Sequence, residues 1–145
     1  MKKILMLATI VLSTVFMGSA RNNVTYNDAV LPSNAKAILS QHFKSKVNHV
    51  KVEKGVLGGT EYEVVLQNGT EVDFKGDGSL KEVDAGKNAV PQGLLLQPIK
   101  TYIKNNYGNK KVVQLEVKDK GYEIELVDGK ELVFDRAGNF VREDR

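Results

Sequence analysis

The sequence predicts an α+β fold: two tandem helix-plus-four-strand repeats form one antiparallel sheet of about eight strands, with both helices on one face. Three observations carry this prediction. Residues 62–84 (YEVVLQNGTEVDFKGDGSLKEVD) align without a gap on residues 122–144 (YEIELVDGKELVFDRAGNFVRED), with eight identities. A repeat of that length is one supersecondary unit used twice. Within both copies apolar side chains fall on alternate positions, the period of a half-buried strand. Ahead of each copy stands a stripe at helical spacing: Ala35, Ile38, Leu39 and Phe43 in the first, Ile99, Tyr102, Ile103 and Tyr107 in the second.

The elements follow in order. Lys2 and Lys3, the apolar run from Ile4 to Met17, and Gly18-Ser19-Ala20 make a secretory signal peptide over residues 1–20. Cleavage after Ala20 leaves 125 residues of the 145. The run is shorter than the about 20 residues of a membrane span; an uncleaved anchor is the alternative reading. No cysteine is present, so neither a lipid anchor through an N-terminal Cys nor a disulfide brace is available. Residues 21–30 are polar and aperiodic and read as a flexible tail. Repeat 1 occupies residues 31–84, a connector 85–97 and repeat 2 98–145, with 31–145 as one domain.

The first helix begins near Pro32 and Ser33, where Ser can cap and Pro suits the first turn. The second begins at Pro98 and stops at Gly108, a left-handed cap. Val47 to Lys54 and Val112 to Asp119 read as the first strands of each copy. Asn68-Gly69 and Asp128-Gly129 mark hairpins whose two central residues both take positive φ. Gly78 and Gly138 turn the chain into the last short strands. The first copy carries an insertion, Gly55 to Glu61, and the Leu94-Leu95-Leu96 run suggests a docked connector. Tyr62, Phe74, Tyr122 and Phe134 are expected to be buried.

Charge excludes some functions. The chain has 21 Lys plus Arg against 18 Asp plus Glu, and removing the leader reduces this to 19 against 18. Acids and bases alternate along the segments, so no basic stripe for nucleic acid stands out, and an anionic membrane is no better a partner.

Catalytic signals are absent as well. There is no Cys, no Gly-x-Ser-x-Gly and no phosphate-binding Gly loop. Glu63 and Glu123, with Glu71 and Glu131, recur in both copies, but they fall on outward positions beside hairpin turns, where nothing raises a carboxyl pKa. His42 and His49, the two histidines, correspond to Asn106 and Gln114 and have no second ligand at zinc spacing. Asp73, Asp77, Gly78 and Asp84 occupy positions one, five, six and twelve of a calcium loop. Lys75, however, stands where an oxygen ligand belongs, and the closing residue is Asp rather than Glu. Asn23-Val-Thr25 and Asn68-Gly-Thr70 fit glycosylation acceptors, unused if the source is bacterial. No catalytic residue, metal ligand or cofactor is assigned.

What remains is a surface. Helices on one side leave the other face of the sheet bare. Copy one contributes Lys51, Glu53, Glu63, Val65, Glu71, Asp73 and Lys75 to that face, and copy two Glu116, Lys118, Glu123, Glu125, Val127, Glu131, Val133 and Asp135. A merely solvated face is one reading. The other is a partner-binding face with valine anchors in a polar field, for which Lys51, Glu53, Glu63, Val65, Glu71, Glu123, Glu125, Val127, Glu131 and Val133 are the contact residues.

The helix ending IKTYIKNNYG, the paired YEVVLQNGTEVDFKGDG and YEIELVDGKELVFDRAG, and the signal peptide resemble the PepSY-like, β-lactamase-inhibitor-like family of exported bacterial proteins. The resemblance covers about residues 31–145 and rests on turn glycines and core aromatics. It implies a periplasmic or secreted protein with an open antiparallel sheet and a protein partner bound through the sheet face or its loops; that the chain is not an enzyme is expected from the missing catalytic signals above. Because PepSY domains accompany peptidase propeptides, it implies an envelope peptidase as one class of partner. A small-ligand or metal-ion binding module is the alternative.

Overall fold

The computed structural model describes residues 23–144. The signal peptide and its cleavage site lie outside the described residues. Nine strands and two α-helices are present among them, in the order β1 (Asn23–Thr25), α1 (Ser33–His42), β2 (Val47–Lys54), β3 (Thr60–Leu66), β4 (Glu71–Lys75), β5 (Leu80–Asp84), α2 (Gln97–Tyr107), β6 (Val112–Lys118), β7 (Gly121–Leu126), β8 (Glu131–Asp135) and β9 (Phe140–Glu143). The strands form one antiparallel sheet in sequence order, β1 through β9.

The extra strand corrects the reading of residues 21–30. Asn23, Val24 and Thr25 pair with Val52, Lys51 and Val50 of β2, and a 3-10 turn at Asp28–Val30 leads into α1. Three residues are too few for an alternation signal; the pairing partner on β2 supplies what the local sequence lacks.

Strand alternation builds the core. One apolar row crosses seven strands through direct pairs: Val50, Val64, Val72, Val83, Leu115, Ile124 and Leu132. All seven are buried, as are Ala35 and Leu39 of α1 and Ile99 and Ile103 of α2, which join them in one cluster. Both helices therefore lie on the same side of the sheet. Each such side chain contributes about 1.5–3 kcal/mol on burial.

A second inner row runs Val52–Tyr62–Phe74–Leu80 and, further along, Val117–Tyr122–Phe134–Phe140. Phe74 and Phe134 are fully buried, but Tyr62 and Tyr122 are only half-buried against the cluster.

The turns differ from expectation in a specific way. Among the described residues no non-glycine residue has positive φ; in the Asn-Gly and Asp-Gly hairpins only Gly69 and Gly129 do, each at 87°. Leu66 N–H donates to the Thr70 carbonyl and Gly69 N–H to the Leu66 carbonyl, so the connection is a three-residue loop closed by a left-handed glycine. Asn68 and Asp128 serve by accepting the Thr70 and Lys130 N–H groups on their side chains. The same turn recurs at Gly78 and Gly138, and at Gly58 in the β2–β3 loop. That loop is shorter than the Gly55 to Glu61 insertion suggests, because β3 already starts at Thr60; its tip leaves Val56 and Leu57 exposed.

Gly78 has a further constraint. A Cβ there would lie 2.8 Å from the Pro32 side chain, so the β4–β5 turn packs directly under the start of α1. At that start Pro32 holds the cap position and Ser33 is already helical, with no side-chain cap bond.

Candidate functional site: the open sheet face

The uncovered face is organised as rows of side chains running across the strands. One row passes through direct cross-strand pairs from Val24 to Lys51, Glu63, Asp73, Glu82, Glu116, Glu123, Val133 and Arg142. A second runs His49, Val65, Glu71, Asp84, Gln114, Glu125 and Glu131. Glu53 pairs with Glu61 in a third. The predicted face residues thus fall together, except Val127, which sits in the turn just past β7 and is exposed.

Register makes these rows acidic. Glu63, Asp73, Glu82, Glu116 and Glu123 are successive neighbours, so four acid–acid pairs stand directly opposed. Like charges directly opposite destabilise a sheet. Cations relieve the ends of the row. Lys51 Nζ is 2.5 Å from Glu63 Oε1, and Lys118 reaches Glu123 at 2.8 Å and Glu116 at 3.5 Å. Asp73 and Glu82 have no ion-pair partner among the described residues; Glu82 accepts a hydrogen bond from the Gln114 side-chain amide.

Alternation along the chain reads as charge mixing in the sequence. In a strand it is segregation, because alternate residues share a face. The helices show the complement: neither α1 nor α2 holds an acidic residue, and Lys36, Lys100 and Lys104 lie on them. The signal was available in the sequence as acids at outward strand positions and none in the helices.

Burial and these neighbours push the Asp73 carboxyl up to about 8, desolvation first, then Glu82 and Glu63. Glu71 and Glu125 are raised by burial and by adjacent acids. Glu82 is raised by burial against the lowering effect of the Gln114 hydrogen bond. Sequence reasoning expected no raised carboxyl and missed Asp73, because that effect depends on which strands are adjacent.

The unfolded Asp73 releases its proton near the ordinary value of about 3.9. Between there and about 8 the folded chain holds a proton that the unfolded chain has lost, so stability falls as pH rises through that window. Thermal melts followed by circular dichroism should show the melting temperature dropping from pH 5 to 8.5. Asp73→Asn should melt about 3–6 °C above wild type at pH 8.5, the shift that roughly 1 kcal/mol gives in a domain of this size, and level with it at pH 5.

Two bulges shape the face. Asp73 opposes Glu82 while Phe74 opposes Leu80, which leaves Lys81 as the extra residue, its amine 2.6 Å from Glu61. Val141 is the extra residue at the corresponding step of β8 and β9. Beside it Gly121 lacks a side chain, and a hollow of about 670 Å³ opens over Val133 and Val141, walled by Glu116, Glu123, Lys118 and Arg142.

The calcium-loop positions do not converge. Asp73 and Asp84 belong to different rows, and Asp77 lies in the β4–β5 turn, where its carboxylate accepts from Ser79 N–H and Oγ. Among the described residues no group of three His, Cys, Asp or Glu is placed to hold a metal ion. His42 packs against Gly93 beneath the connector, and His49 bonds Asn48.

The family model described as "Putative beta-lactamase-inhibitor-like, PepSY-like" matches residues 60–142. The chain belongs to this PepSY-like family. Solved structures share its fold, among them three periplasmic proteins. A "putative periplasmic protein of unknown function" from Bacteroides vulgatus is 35% identical with a TM-score of 0.81, covering 86% of this chain and all of its own. A "putative calcium-regulated periplasmic protein" from Bacteroides thetaiotaomicron is 32% identical with a TM-score of 0.79, covering 87% of this chain and 97% of its own. A third, again a putative periplasmic protein from B. vulgatus, is 28% identical with a TM-score of 0.77, covering 89% and 99%. No curated protein matches the chain. No helix among the described residues is long and apolar enough to cross a membrane.

Proposed function

We propose that this PepSY-like chain is a non-enzymatic, exported protein-binding module that inhibits or modulates a peptidase or other envelope enzyme through its open sheet face. The observation that carries this is the one-sided sheet: both helices cover one face, and the other presents Val65, Val133 and Val141 among ordered charge rows. The family description and the periplasmic relatives support it. The half-buried acids lie on a broad surface, and Asp73 does not line the hollow over Gly121; an active site ordinarily needs a concave pocket around its perturbed groups. Export by a cleaved leader and descent of the two halves from one duplicated unit belong to the same reading. The matched pairs Tyr62–Phe74 and Tyr122–Phe134 support the duplication.

The relative described as calcium-regulated supports ion binding as a second reading. In this chain the loop acids point apart, which disfavours it.

The test is affinity capture from envelope extract of the source organism, with crosslinking and mass spectrometry. Wild type should recover one dominant envelope protein, and Glu63→Lys/Glu123→Lys should lose it. The two substitutions break half-exposed ion pairs with Lys51 and Lys118, so the melting temperature should stay within about 2–4 °C. Equal recovery by the variant would remove the sheet face from consideration.

A further inference from the structure

We infer that the open face receives a cationic polypeptide segment, laid across the strands along the carboxylate row, with an apolar side chain seated in the hollow over Gly121. This rests on the partner-binding reading above and names the chemistry of the partner.

Charge complementarity selects the occupant. From Glu63 to Glu123 the row crosses four strand-to-strand steps, roughly 19 Å at about 4.8 Å each. Acidic side chains oppose one another along that whole length, an arrangement that destabilises a sheet where the groups are charged. The chain's own cations are engaged by other acids or sit at the ends: Lys51 at one end, Lys118 at the other, Arg142 paired with Asp144, and the bulged Lys81 beside the middle with its amine on Glu61. In the middle Asp73 and Glu82 form no ion pair among the described residues, and a cation laid over them would favour their charged forms. The acids form a line rather than a cage, and no metal-holding group of three occurs among the described residues. A line of charge matches a string of positive residues better than one ion; about six extended residues span it.

The hollow defines the rest of the segment. It lies at the Glu123 end of the row, with Val133 and Val141 for an apolar side chain and the Glu116 and Glu123 carboxylates at its edge for flanking basic residues. Gly121 is part of its lining. The other candidate occupant is the lysine-bearing helix side of a second copy.

The experiment titrates the purified chain against fluorescein-labelled decapeptides by anisotropy. The probes are alternating Lys-Ser, the same peptide with one central Leu, alternating Glu-Ser, and calcium chloride alone. The Lys-Ser peptide should bind and the Glu-Ser peptide should not. Glu82→Gln/Glu116→Gln should weaken binding about tenfold, a change of roughly 1.4 kcal/mol, and added salt should weaken it further. Asp28→Asn/Asp77→Asn, away from the face, should leave it unchanged. The Leu should strengthen binding about fivefold through its buried area, a gain that Val133→Ser removes.

Equal binding of both charge types, or calcium binding more tightly than the peptide and displacing it, would overturn the inference. So would salt-sensitive self-association abolished by Glu82→Gln/Glu116→Gln, which would assign the face to a second copy. If peptide binding fails while the captured envelope protein is still lost in the Glu63→Lys/Glu123→Lys variant, only the cationic class falls. If that variant retains capture, the sheet-face reading falls with it.

Discussion

Phe134→Ala should lower the free energy of unfolding by about 3–5 kcal/mol, the cost of emptying a large buried aromatic site. Phe134 is 1% exposed and anchors an aromatic group rather than a single contact. Its ring meets Tyr102 of α2 edge-on at 5.6 Å and Phe140 of β9 at 5.9 Å, while Tyr102 and Phe140 stack at 4.3 Å. Truncation therefore loosens α2 and the terminal strand together. Chemical denaturation should show a lower midpoint with an unchanged slope, the mark of lost stability without a change in the surface exposed. Phe74→Ala should cost a similar amount, since Phe74 is fully buried under the same kind of strand pairing. Surface-like tolerance at both positions would mean that the strand phase is wrong.

Gly121→Ala should be at least as damaging, costing about 3 kcal/mol or more. Gly121 has φ of 149°, where side-chain-bearing residues are strained, and strain of that kind costs of order 1–3 kcal/mol. A Cβ would also fall 2.0 Å from the Phe134 carbonyl oxygen and 2.8 Å from the Asp135 backbone, where nothing flexible can yield. To accept it, β7 and β8 must separate at the pair that joins Gly121 to Asp135. Gly129→Ala provides the comparison: it shares a positive φ but meets no atom within 4 Å, so it should lose only the conformational part, about 1 kcal/mol. Thermal melts of the two variants separate steric from conformational cost. Equal, mild losses would contradict the close approach of the strands at Gly121.

These residues also show what a single sequence discloses. The phase of the inner rows was legible because Val64, Leu66, Val72 and Phe74 alternate locally, and the helices because Ile99 and Ile103 recur one turn apart. The register was not, since it depends on which residues face each other across strands far apart in sequence. Glu82 and Glu116 meet only through the β5–β6 pair, on either side of α2. The raised Asp73 carboxyl, the bulged positions of Lys81 and Val141, and the hollow at Gly121 all follow from register. Strand β1 escaped for a related reason: Asn23-Val24-Thr25 is a strand because β2 offers an edge. The site residues could be placed on the outer face from sequence, but their order into acidic rows could not.

The most direct test of the open face as the binding surface is carboxylate footprinting. Wild-type protein would be labelled with a carbodiimide and an amine, alone and in envelope extract, and each modified acid quantified by mass spectrometry. Glu71, Glu116, Glu123 and Glu131 should lose labelling in the extract, while Asp28 and Asp77, which lie in turns outside the rows, should keep it. Unchanged labelling across the rows, or protection confined to the turn acids, would contradict the account.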